Sequence, residues 1–152
     1  EVKDDFNARF DAIQRCYLYR IVNRRAPVVL DKDRAWWVPI KLDADAMDEA
    51  AKVLEGRHDF STFRAQNCQS QSPVKTLDSL TVKRENNEIQ ILAVARSFLY
   101  HQVRNMAGTL RLVGEGKWSC QDFEVAFKAK NRNQGGETAP ANGLYLINVR
   151  YS

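Results

Sequence analysis

Histidine and cysteine are scarce in this chain, and their placement removes several classes of chemistry. Only two histidines occur, His58 and His101, and neither stands at a short spacing from a cysteine. That argues against a structural zinc site. The three cysteines, Cys16, Cys68 and Cys120, are widely separated and odd in number. They fit a reducing, cytoplasmic compartment better than a disulfide framework. Nothing matches a Gly-rich phosphate loop, a nucleophile elbow or a helical metal motif. No apolar run is long enough to span a bilayer, and Glu1-Val2-Lys3-Asp4-Asp5 lacks the apolar segment of a signal peptide. An initiator methionine is also missing, and the chain opens shortly before an evidently structured segment. It reads as a fragment of a longer protein.

What is present suits one sizeable core. A length of 152 residues with 44% hydrophobic and 10% aromatic content predicts one domain over residues 1–152. Net charge is only +4 but unevenly spread, with Arg9, Arg15, Arg20, Arg24 and Arg25 inside the first twenty-five residues. Such a cluster either focuses attraction for phosphate or forms a solvated basic edge.

The segment Arg15–Asn23 is rich in aromatic and β-branched residues and predicts a strand. Period-two geometry puts Tyr17, Tyr19 and Ile21 on one face, with Cys16, Leu18, Arg20 and Val22 on the other. Trp36-Trp37-Val38 is a short apolar piece. Asp43 can cap a helix whose stripe is Met47, Ala50, Ala51 and Leu54, with Gly56 as its stop. Residues 59–64 and the polar stretch behind them read as a loop or short helix ending at Pro73. A hairpin is expected from about Thr76 to Arg96, turning at Asn86-Asn87, and its second arm should be a central strand because it is apolar on both faces. Ser119 and Asp122 match a capping box ahead of Phe123, Ala126 and Phe127. Residues 143–151 close the chain as a strand. Together these predict an α+β fold, an antiparallel or mixed sheet with helices packed on it.

The most telling helix is predicted over Phe98–Leu110. Leu99, Val103, Met106, Leu110 and Val113 form its apolar stripe. At about 100° per residue, Arg104 falls roughly 140° from the centre of that stripe. It is either a solvated arginine or one that meets something anionic.

Four separated blocks resemble one family in order and wording. They are Phe6-Asn7-Ala8-Arg9-Phe10-Asp11-Ala12 with Arg15-Cys16-Tyr17-Leu18-Tyr19; Gly56-Arg57-His58-Asp59-Phe60-Ser61-Thr62-Phe63-Arg64; the Phe98–Gly108 helix; and Thr138-Ala139-Pro140-Ala141-Asn142-Gly143-Leu144-Tyr145-Leu146. The likeness is to the TruA-type tRNA pseudouridine synthases and runs from about Phe6 to Tyr151. Asn7 departs from the family, which often has histidine there.

The resemblance implies an isomerase that converts uridine to pseudouridine at nucleotides 38, 39 and 40 of the tRNA anticodon stem-loop, without metal or cofactor, as a homodimer. It also implies an essential aspartate in a Gly-Arg-Thr-Asp-Ala-Gly sequence of the amino-terminal half. This chain has no such segment, and Asp4, Asp5, Asp11 and Asp59 lack its context. The chain therefore resembles the carboxy-terminal half, inactive or nearly so alone. By the same resemblance Arg104 pairs with the missing aspartate, Tyr17 is the active-site tyrosine, and Leu144 lines the opposite wall. Arg9, Arg15 and Arg64 are taken as substrate-binding residues, with Arg20, Arg24, Arg25 and Lys75 as further phosphate candidates. Arg20 projects from the face opposite Tyr17, which favours a structural role. Each assignment has a plainer alternative: a solvated Arg104, a core aromatic at Tyr17, a core Leu144. His101 is expected to satisfy a local hydrogen bond. Competing functions are a non-catalytic RNA-binding module of the same fold and a purely structural α+β domain.

Overall fold

The computed structural model describes residues 12–26, 34–66, 68 and 72–151. In chain order the elements are β1 (Ala12–Asn23), β2 (Trp36–Val38), α1 (Ala44–Lys52), β3 (Gly56–Asp59), β4 (Val74–Glu85), β5 (Glu88–Ala95), α2 (Gln102–Gly114), α3 (Cys120–Lys128) and β6 (Leu144–Tyr151). One-turn 3-10 helices lie at Ser61–Phe63, Arg132–Gln134 and Ala141–Gly143. The strands form one six-stranded sheet in the order β2-β1-β5-β4-β3, with β6 also on β1. Among the described residues only the β1–β2 pairing is parallel. This is the expected α+β architecture with a mixed sheet.

Alternation along β1 separates two environments. Tyr19 and Ile21 are wholly buried, and so are their β5 partners Ile91 and Ile89. On the other face Cys16, Leu18, Leu92 and Val94 are only half-buried. β5 lies between β1 and β4, the central position its apolar composition predicts. The β4–β5 turn falls at Asn86-Asn87, with Asn86 in the left-handed region at φ 58°. Asparagine tolerates that conformation better than most residues.

Two of the helix caps follow the sequence closely. Asp43 accepts from the Ala46 amide at 3.0 Å. Ser119 and Asp122 complete a capping box at 3.0 and 2.9 Å. Met47, Ala50, Ala51 and Leu54 are buried as predicted, as are Phe123, Ala126 and Phe127.

Three boundaries differ. Helix α1 ends at Lys52 with Val53 as C-cap, and Gly56, at φ 102°, opens β3 rather than stopping the helix. β3 gave no sequence signal because Gly-Arg-His-Asp has no apolar alternation; its register comes from pairing with residues 74–77 of β4. The following segment does contain the short helix, anchored by Phe60 and Phe63, which are fully buried. Helix α2 starts at Gln102 instead of Phe98, because left-handed His101 (φ 62°) breaks the run and the Gln102 side chain takes the Leu99 amide at 2.8 Å. Among the described residues no helix is long and apolar enough to cross a membrane.

Candidate functional site

Helix α2 is buried on more sides than its stripe requires. Leu99, Val103, Met106, Leu110 and Val113 are core, but Asn105 and Thr109 are also wholly buried. The cover is the segment joining the turn at Arg132–Gln134 to that at Ala141–Gly143. A Cβ added at Gly108 would stand 1.7 Å from the Glu137 carbonyl oxygen, so the two backbones meet only because this residue is glycine. The Thr109 hydroxyl accepts from Gly136 N at 2.9 Å. Asn105 donates to the Phe63 carbonyl at 2.8 Å and accepts from Arg132 Nη2 at 3.0 Å and from the Thr138 hydroxyl. Burial works against the Arg132 charge and lowers its pKa from the usual arginine range.

Arg104 is neither fully solvated nor paired with an acid. It is half-buried and clasped to the covering segment at two points: its Nε donates to the Ala139 carbonyl at 2.8 Å, and the Ala139 amide donates to the Arg104 carbonyl at 3.1 Å. Its two terminal amino groups have no partner among the described residues. No buried side-chain nitrogen or oxygen there lacks a partner, so these amino groups reach the surface.

The next residue, Pro140, accepts the Tyr19 hydroxyl at 2.6 Å. Burial raises the Tyr19 phenol well above its ordinary pKa; the nearby Arg104 cation opposes that rise and Glu137 adds to it. Tyr19 therefore stays a neutral donor, and Arg104 is its electrostatic neighbour. Gly143 lies against the Tyr19 ring, where an added Cβ would be 2.7 Å from Cζ.

Tyr17 stands two residues earlier on the same side of β1, paired with Ala93 and Leu146. Its ring meets Phe98 edge-on, with centroids 5.1 Å apart. It is half-buried at the margin of the core, and its hydroxyl has no hydrogen-bond partner among the described residues. Leu144 pairs with Tyr19 and is half-buried against the core, which makes it a diagonal neighbour of Tyr17 on one face. Tyr17, Leu144 and Arg104 thus come to one region, linked by Tyr19 and the Ala139-Pro140 backbone.

The basic candidates divide. Arg9 lies outside the described residues, as do Asn7, Asp4, Asp5 and Asp11. Arg20 is committed elsewhere: on the opposite face it grips Glu88 through Nε–Oε2 at 3.1 Å and Nη2–Oε1 at 2.8 Å. The hydrogen bond from Arg20 holds the Glu88 carboxyl below its usual pKa against the opposing effect of burial. Arg15 precedes Tyr17 on its own side and donates to the Arg96 carbonyl. Arg24 donates to the Ala26 carbonyl at 3.2 Å, and Arg25 is exposed. Arg64 is half-buried beside Ala65, whose amide donates to the Tyr100 carbonyl at 3.4 Å, so it borders the approach to α2. Lys75 pairs with His58 across β3 and β4.

Asp59 is occupied locally, accepting from the Ser61 amide at 2.8 Å and from the Ser61 hydroxyl. His58 Nε2 lies 2.8 Å from the Glu55 carbonyl. His101 makes no local hydrogen bond with its ring among the described residues; it stacks on Tyr100 at 3.8 Å between centroids. Burial and the Arg104 cation both lower its pKa, which favours the neutral ring. A shallow concavity of about 580 Å3 lies elsewhere, bounded by Lys41, Asp43, Asp45 and Arg84. The Arg84 guanidinium is held there by Asn23 Oδ1 and the Leu42 carbonyl, a structural use.

Residues that sequence reasoning passed over are those that seat the covering segment: Tyr19, Asn105, Thr109, Arg132 and Thr138. Asn105 and Thr138 stood inside recognised blocks, but Arg132 meets Asn105 across 27 positions and nothing local announces it.

Comparison with known proteins bears on the same elements. A family model described as tRNA pseudouridine synthase matches residues 50–152, which include α2, the covering segment and β6. The tRNA pseudouridine synthase A of Paramagnetospirillum magneticum is 64% identical over 151 residues, covering 99% of this chain and 59% of that protein. The proteins of that name from Xanthobacter autotrophicus and Rhodospirillum rubrum are 60% and 56% identical, and the chain spans 62% and 54% of their lengths. A match through well over half of the chain, with relatives this similar along nearly all of it, leads to one conclusion: the chain belongs to the tRNA pseudouridine synthase family.

Proposed function

We propose that this chain is the carboxy-terminal half of a tRNA pseudouridine synthase, folded as one domain, and that it supplies part of an active site completed by an aspartate from the amino-terminal half. The observation that carries this is Arg104, fixed through Nε while both terminal amino groups stay unengaged among the described residues and reach the surface. A guanidinium so placed can take a carboxylate through two parallel hydrogen bonds, keeping it ionised and aimed. Tyr17 lies nearby, half-buried and with a hydroxyl unbonded among the described residues, suited to packing on a uracil ring and assisting proton transfer. Leu144 adds apolar surface on the same face as Tyr17 rather than on an opposite wall, because it pairs with Tyr19 across β1 and β6.

The reaction breaks the C1′–N1 bond, turns the uracil and forms C1′–C5. The C5 proton leaves and N1 gains one, so no oxidant, metal or cofactor is required. The substrate is uridine at nucleotides 38, 39 and 40 of the anticodon stem-loop, read through tRNA shape, because neighbouring targets cannot share one sequence. The nucleotide must be turned out of its stem to expose the glycosidic bond. Arg15 and Arg64 contact phosphate, as does Arg9. The intact protein acts as a homodimer in the cytoplasm.

Two measurements test this reading. Incubated with unmodified tRNA, the chain alone should form little or no pseudouridine; turnover matching an intact enzyme would overturn the missing-aspartate argument. The coding sequence upstream of Glu1 should contain a Gly-Arg-Thr-Asp segment. A protein that truly begins at Glu1 would instead be a non-catalytic RNA-binding module.

A further inference from the structure

Two local costs sit side by side just before α2 without a packing reason. His101 holds a left-handed backbone (φ 62°), which a residue with a Cβ adopts reluctantly, and its side chain makes no capping hydrogen bond. Tyr100 is 52% exposed although it is a large aromatic. A serine or aspartate here would start the helix at lower cost. The backbone instead turns so that the two rings lie face to face, 3.8 Å apart with planes inclined by 26°. Backbone strain of this kind persists where its geometry has a use.

The surroundings indicate the use. The Tyr100 carbonyl accepts from the Ala65 amide, which brings the backbone next to Arg64 alongside, and the Arg104 cation is close enough to act on the His101 ring. Phe98, two residues before Tyr100, packs in a T-shaped pair with Tyr17. An exposed aromatic step beside a guanidinium group matches single-stranded RNA, whose bases offer flat faces and whose phosphates alternate with them. We infer that Tyr100 and His101 form a stacking platform for an unpaired nucleobase next to the target uridine. This rests on the proposed function and adds to it a contact that holds the opened loop in place.

The test is the affinity of this chain for an unmodified anticodon stem-loop RNA, measured across a salt series alongside thermal melting. Tyr100→Ala should weaken binding roughly 5- to 100-fold at every salt concentration, the loss of one stacked base, with the salt slope unchanged. His101→Gly should also weaken binding while the melting temperature holds or rises, because glycine accepts this φ without strain. Arg64→Ala, a phosphate contact, should lower the slope of log affinity against log salt by about one. Unchanged affinity in both aromatic variants, with the wild type binding, overturns the platform and leaves the proposed function standing. A lowered salt slope in Tyr100→Ala also overturns it, since the loss would then be electrostatic. No RNA binding by the wild type at low salt removes the proposed function and the platform together.

Discussion

Lysine at position 104 would keep the charge and lose both the Nε bond to Ala139 and the planar pair of terminal donors. In the intact protein, Arg104→Lys should lower kcat on the order of 100-fold, as misplaced catalytic groups do, with tRNA affinity changed by less than about twofold. Steady-state kinetics and a binding isotherm decide; equal losses would assign Arg104 to the RNA-contact surface. Arg20 calls for a different experiment. Its grip lowers the folded-state pKa of Glu88, so the stabilisation is fully present above the ordinary carboxyl value and fades as the pH falls through the folded one. Glu88→Gln should cost about 1 kcal/mol at pH 7 for this partly buried pair, and melting curves of the two proteins should converge well below pH 4.5. At this scale the sequence was informative about direction. Period-two spacing separated Arg20 from Tyr17, and helical spacing kept Arg104 off the apolar stripe. It was silent on partners: the carbonyl that holds Arg104 is 35 residues away, and the His101 ring stacks where a hydrogen bond was expected.

Helices here do more than cover the sheet. Beyond Leu77 the outer edge of β4 is no longer paired with β3, and side chains of α1 and of Glu55, just past its end, take over. Asp48 accepts from Val82 N at 2.9 Å, Glu55 accepts from Leu80 N at 2.8 Å, and Lys52 donates to the Leu80 carbonyl at 2.7 Å. An open strand edge invites pairing with another chain. The double variant Asp48→Ala, Glu55→Ala should lose about 2 kcal/mol in urea unfolding and associate as concentration rises, which light scattering detects. Contact between α2 and the 135–139 segment is equally specific. Gly108→Ala forces a Cβ onto the Glu137 carbonyl, so the segment must lift; a loss of about 1–3 kcal/mol in the same assay is expected. Element starts were legible wherever a side chain marks them, as at Asp43 and Ser119. β3 was not, since its strand character comes from pairing with β4 rather than from its own residues.

For the molecule as a whole, the fold class was readable because hairpin spacing, helix stripes and caps all pointed the same way. The sheet's parallel component was not, since β2 is three residues long and pairs with β1 by register alone. The core joins the helices to one face of the sheet, so this chain should unfold in a single cooperative transition whether or not it turns over tRNA; calorimetry checks this. The chain spans 54–62% of the length of the three relatives compared. Two bonds join Arg104 to Ala139, one from its side chain and one to its backbone. They hold the side chain in place as the polypeptide folds, so its rotamer entropy is surrendered before any partner docks, the preorganisation that the proposed function calls for. In the isolated chain the Arg104 Nε–H resonance should consequently exchange slowly with water, with no anion present.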